Sequence, residues 1–170
     1  IQPQLKKENI FFIDEAEINK DQEDFVKSYF YQFVSPALVT IILNEAIDLP
    51  LLEDSAAYLA VTMTMENNEK QYALIEIPST INRFVECPKM NNKDYIIILD
   101  DLLRYFLNDI FSVFSYKSIS AHMIKLTRDA ELDFDSDLSK SFLKKISDSV
   151  KLREIGQPVR FVYDKSINKD

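Results

Sequence analysis

The sequence predicts an α+β fold in which a largely antiparallel sheet of about six strands packs with three main helices. Two alternating apolar runs face each other across an asparagine pair: Leu59, Val61, Met63 and Met65 before it, then Tyr72 to Ile77 after it. Three other stretches repeat their apolar residues at helical steps, and a continuous β-branched run from Tyr95 to Leu99 passes directly into one of them.

Residues 1–20 read as a strand-like piece, Ile10 to Ile13, in a polar surround, a connection arriving from an absent preceding domain. The first residue is Ile1 rather than Met, so a piece of a longer protein is expected. From Asp21, Phe25, Tyr29 and Phe33 recur at four-residue steps beside Val26, Phe30 and Val34, which predicts a helix capped by Asp21 and ended or bent by Pro36. Thr40 to Ser55 lacks a clean period, includes Pro50, and reads as an irregular connection with room for a short helix. The hairpin follows, with turn chemistry at Asn67 and Asn68. A short RFVE edge strand precedes Pro88, and KMNNKD reads as a loop. Tyr95 to Leu99 is suited to a buried strand. Leu102, Leu103, Phe106, Leu107, Ile110 and Phe111 then share a helical face, with Asp100 and Arg104 spaced as an i,i+4 ion pair. A strand from Ile119 to Leu126, a helix from about Ser136 to Leu152, and a final strand PVRFVYD complete the expected elements.

At 170 residues, the chain fits one domain with a sizeable core. No apolar run approaches the ~20 residues that cross a bilayer, so no transmembrane segment is expected. The single Cys87 has no second thiol for an internal disulfide or a zinc site, and cytoplasm is the expected compartment. A net charge of −8 repels phosphate backbones, and no basic stripe offsets it, so nucleic acid is not an expected partner. Gly156 is the only glycine, which excludes a P-loop or a Rossmann turn.

Candidate chemistry is sparse. His122 has no cysteine or second histidine with which to share a metal, and reads as a partly buried, hydrogen-bonded structural residue. Cys87 reads as a small apolar filler. Asp129, Glu131, Asp133 and Asp135 could gather oxygens around magnesium, yet a solvated acidic approach to the next helix is the favoured reading. Arg128 could clamp a phosphate or carboxylate, or pair with Asp129, Glu131 or a carboxylate of a neighbouring domain.

QYALIEIPSTINRFVE, then YIIILDDLLRYFLNDIFSVF, then HMIKLTRDAELD, a charged helix and PVRFVYD stand in an order that resembles the head (middle) domain of bacterial polyphosphate kinase. The resemblance runs from about Ile10 to Tyr163, with TRDAE at Thr127 to Glu131 its most telling segment. It implies that residues 21–170 are the head domain and that residues 1–20 arrive from a helical amino-terminal domain that helps hold adenine. It further implies a full-length enzyme that passes the terminal phosphate of ATP reversibly to a histidine and then to polyphosphate, with magnesium shielding the phosphates. In the family, the phosphoacceptor histidine and the arginines holding metal and phosphate lie in two carboxyl-terminal domains. His122 does not match that histidine's motif, so the role is not carried over.

The resemblance thus implies a scaffold and dimer-contact module, inactive alone, with no catalytic residue, bound cofactor or metal of its own. ATP and Mg belong to the full-length enzyme, which is expected to be a homodimer, cytoplasmic or membrane-peripheral. Its expected partners are the other domains of the same polypeptide, with ATP and polyphosphate reached through those domains. Thr127, Arg128, Asp129 and Glu131 are the interdomain or loop-fixing candidates. Lys125 and Arg128 are the alternative polyphosphate contact, and Tyr105 and Phe106 are the candidates for an exposed dimer contact. An unrelated protein-interaction domain of the same fold is the remaining alternative.

Overall fold

The computed structural model describes residues 2–43, 52–54, 56–128 and 158–167. It has α+β architecture with two sheets, and eight strands appear among the described residues where the sequence suggested about six. A short helix α1 (Gln2–Lys7), not anticipated, leads into β1 (Ile10–Ile13). Next comes α2 (Lys20–Tyr29), whose cap is Asn19 rather than Asp21. The Asn19 side chain accepts from the Asp21 and Gln22 amides, while Gln22 Oε1 accepts from the Asn19 amide, closing a capping box.

The helix continues as a π turn over Phe30–Val34 and a 3-10 turn over Ser35–Ala37 that holds Pro36. A π turn is wider than an α turn, so residues four apart stay in line. Val26, Phe30 and Val34 are accordingly all buried, and Phe30 stacks on Phe106 with centroids 4.0 Å apart. Phe33, expected on the same apolar face, keeps its place beside Tyr29 with ring centroids 5.3 Å apart but is 55% exposed.

Residues Val39–Leu43 form strand β2, correcting the reading of Thr40 to Ser55 as irregular. VTIIL lies at a sheet edge, where neither face alternates cleanly, but its β-branched residues still suit a pleated strand. Residues 44–51 and 55 lie outside the described residues. The expected hairpin is β3 (Ala57–Met65) with β4 (Lys70–Glu76), turned through Asn68 at φ 67°. The run read as RFVE is a longer strand, β5 (Phe84–Met90), which carries Pro88 where the ladder to its neighbour is interrupted. The supposed KMNNKD loop is a tight hairpin: Asn91 and Asn92, both at positive φ, join β5 to β6 (Lys93–Ile98).

Leu99 is the first residue of α3 (Leu99–Tyr105), not the last of the strand, and Phe106 interrupts the helix before α4 (Leu107–Ile110). The chain returns in the long β7 (Tyr116–Arg128) and, among the described residues, ends with β8 (Pro158–Tyr163). The expected helix from Ser136 to Leu152 lies outside the described residues.

The five-stranded sheet has the order β2-β4-β3-β7-β8, antiparallel throughout, with β3 at its centre. The three-stranded sheet has the order β1-β6-β5, and β1 runs parallel to β6. One core joins them: Leu59, Val61 and Met63 from β3 and Ile97 from β6 meet Val26 and Phe30 of the α2 segment and Leu102, Leu103 and Phe106 around α3. Cys87 lies in that core as a filler, and burial pushes its thiol up to about 11, which leaves it un-ionised at neutral pH. Among the described residues, no helix is long and apolar enough to cross a membrane.

Candidate functional site

The densest polar constellation lies in a groove of about 590 Å³ where α3 meets β7, the start of the loop after β1, and the turn after β8. Arg104, one turn along α3, stands at its centre. Its Nε donates to the Ala121 carbonyl of β7 at 3.0 Å, Nη1 to Asp101 at 2.5 Å and Nη2 to Asp164 at 2.9 Å. The expected Asp100–Arg104 pair is therefore not made. The helix turns Asp101 toward Arg104 and Asp100 toward Arg83, which binds it at 2.7 Å. Asp164 also accepts the Met123 amide at 2.6 Å, while its own amide donates to the Met123 carbonyl, so the turn after β8 is fastened to β7.

Burial outweighs the guanidinium in setting the charge of Asp101. Desolvation pushes its carboxyl up to about 6, Arg104 pulls the other way, and Glu15, Asp100 and Asp14 add to the rise. Asp100 is 6% exposed, and its second oxygen has no hydrogen-bond partner among the described residues. Beside this clasp, His122 Nδ1 lies 3.3 Å from Ser166 Oγ. Serine, histidine and aspartate stand close together without the linked hydrogen bonds of a nucleophilic relay: His122 bonds Ser166, Asp164 bonds Arg104 and the Met123 amide, and among the described residues His122 and Asp164 do not bond each other. Each nitrogen of Arg104 already has a protein oxygen, so the groove offers no free guanidinium fork for phosphate. Among the described residues, no group of three or more histidine, cysteine or acidic side chains is placed to hold a metal ion. The arrangement ties α3 to β7 and to the turn after β8.

The residues singled out from the sequence lie elsewhere. Lys125 is exposed on β7, and Thr127 is half-buried opposite Arg160 of β8. The Arg128 backbone ends β7 opposite Pro158, while Asp129, Glu131, Asp133 and Asp135 lie outside the described residues. Phe106, taken as an exposed contact, is 1% exposed in the core, because the break between α3 and α4 turns it onto Phe30. Tyr105 is half-buried. His122 is the partly buried, hydrogen-bonded residue expected. Asp164 was not anticipated. It is 60 residues from Arg104, and no local spacing links the two.

A family profile described as "Polyphosphate kinase middle domain" matches residues 21–170. The chain is 35% identical to polyphosphate kinase from Vibrio parahaemolyticus, covering 98% of this chain and 25% of that protein. It is 36% identical to polyphosphate kinase from Escherichia coli K12, covering 96% of this chain and 24% of that protein. The chain thus spans about a quarter of the length of these curated relatives. A crystal structure of polyphosphate kinase from Porphyromonas gingivalis has a similar fold, with a TM-score of 0.75 at 23% identity, over 99% of this chain and 23% of that one.

Proposed function

Because the chain belongs to the polyphosphate kinase family, matching its middle domain over residues 21–170, we propose that it is the framework and subunit-contact module of an enzyme that transfers the terminal phosphate of ATP to polyphosphate. On this reading, ATP, magnesium and the phosphorylated histidine are handled by other parts of the polypeptide. The observation that carries it is the commitment of the polar groups: Arg104 is taken up by Asp101, Asp164 and the Ala121 carbonyl, and His122, the only histidine, stands against Ser166. These contacts support joining elements rather than turning over a substrate. With Phe106 buried, subunit contact would fall to other surface residues, half-buried Tyr105 among them.

His122→Asn in the full-length enzyme tests the reading. Polyphosphate synthesis from ATP should stay within about twofold of the unsubstituted enzyme, whereas replacing a phosphoacceptor abolishes turnover. Loss of turnover in a correctly folded variant would make His122 part of the reaction and contradict the proposal.

A second reading, polyphosphate running over β7 and β8, is favoured by one observation. Lys125 and Thr127 share a face of β7, and Arg160 lies opposite Thr127, so two exposed cations stand on one side of the sheet. If they touch the chain of phosphates, Lys125→Ala with Arg160→Ala in the full-length enzyme will lower the salt dependence of polyphosphate affinity by about one unit of slope per lost contact. An unchanged slope removes this reading.

A further inference from the structure

The three-stranded sheet has two apolar faces, and the large core takes only one of them. That packed face carries Ile13, Val85, Cys87 and Ile97. The opposite face carries Ile10, Phe12, Phe84, Ile96 and Ile98. Register puts Phe12 beside Ile96 and Phe84 beside Ile98, and the Phe12 and Phe84 rings meet edge-on at 5.9 Å. None of these five belongs to either hydrophobic cluster among the described residues; Phe84 is 57% exposed, and Ile10, Phe12, Ile96 and Ile98 are half-buried.

A sheet with one wet face alternates apolar and polar residues, whereas a sheet covered on both faces reads as continuous apolar runs. The five-stranded sheet contains the first kind: along β7, Ser118, Ser120 and His122 alternate with Ile119, Ala121 and Met123. The three-stranded sheet contains the second kind, in IFFI of β1 and YIII of β6. Two of its three strands therefore read as part of a doubly covered layer, whereas β5 alternates, with Phe84 and Glu86 exposed between buried Val85 and Cys87.

We propose that the face formed by Ile10, Phe12, Phe84, Ile96 and Ile98 is an interdomain seam, covered in the whole protein by an apolar surface of the same polypeptide that lies outside residues 1–170. The inference rests on the reading of the chain as a framework module. Two observations select this occupant over a second copy. The chain spans about a quarter of its curated relatives, so most of a polypeptide of that length is available to cover the face. The polar residues that the strands themselves place on the face are acidic, Glu86 opposite Ile96 and Asp94 opposite Ile10, and Lys6 borders it where Ile10, Phe12 and Ile98 line a pocket. Lys89 answers Asp94 at 3.0 Å from the exposed edge. A copy of the same face would set acid against acid, whereas an apolar surface rimmed by lysine or arginine would complement it.

The test is made in the full-length enzyme, with Phe84→p-benzoylphenylalanine as a photo-crosslinker and the linked peptides identified by mass spectrometry. The expected result is a crosslink, in material of single-polypeptide mass, to a peptide outside residues 1–170. No crosslink, crosslinks confined to residues 1–170, or crosslinks found only in material of twice the mass would each overturn the seam. Polyphosphate synthesis by the same preparation separates this failure from failure of the framework reading. An active enzyme lacking the crosslink removes the seam alone, whereas ATP turnover by residues 1–170 by themselves removes the framework reading.

Discussion

Asp101 places two electrostatic effects in direct competition. It is bonded to a guanidinium, which favours the carboxylate, and it is largely withdrawn from water among other acids, which favours the neutral acid. Burial prevails, with the carboxyl raised to about 6. Below the ordinary carboxylate value of about 4, Asp101 is protonated whether the chain is folded or not. Between that value and 6 the folded chain keeps a proton that the unfolded chain has lost, so this group makes stability fall as pH rises through the window. Over the whole window the effect is at most about 3 kcal/mol, since a tenfold change in proton affinity is worth about 1.4 kcal/mol. Thermal unfolding of the original chain and of Asp101→Asn, compared between pH 4 and 6.5, should show the original losing stability relative to the variant as pH rises. The opposite slope would mean that the ion pair with Arg104 outweighs burial. Only part of this clasp was legible in the sequence. Asp101, Arg104 and Asp100 stand together in the text, but which acid faces the arginine depends on how α3 sits against β7, and Asp164 arrives from a distant turn.

Elements with strong local chemistry were the legible ones. Alternation in AYLAVTM and QYALIE, with asparagines between them, specified the hairpin of β3 and β4, and the β-branched run specified β6. Errors arose where a neighbour decides the outcome. VTIIL in β2 becomes a strand through pairing with β4, and periodicity alone did not distinguish it from a connection. Asn19 displaced Asp21 as the cap because Gln22 supplies the reciprocal hydrogen bond. The burial of Phe106 depends on its stacking on Phe30, a contact between elements far apart in sequence that no local spacing shows. A four-residue recurrence identifies a helix, but not the pitch of its last turn.

At the scale of the whole molecule, the two sheets, α2 and the α3–α4 segment share one core, with the Arg104 clasp on its polar margin. The composition was informative here: with one glycine in 170 residues, the sequence carries no glycine-rich motif of the P-loop or Rossmann kind. On the proposed framework reading, the chain should neither accept phosphate nor pass it on. The most direct measurement of that claim is incubation of the purified 170-residue chain with ATP labelled at its terminal phosphate, in the presence of magnesium. The account predicts no acid-labile label on the protein and no polyphosphate product; label recovered on His122, or ATP consumed by the chain alone, would contradict it.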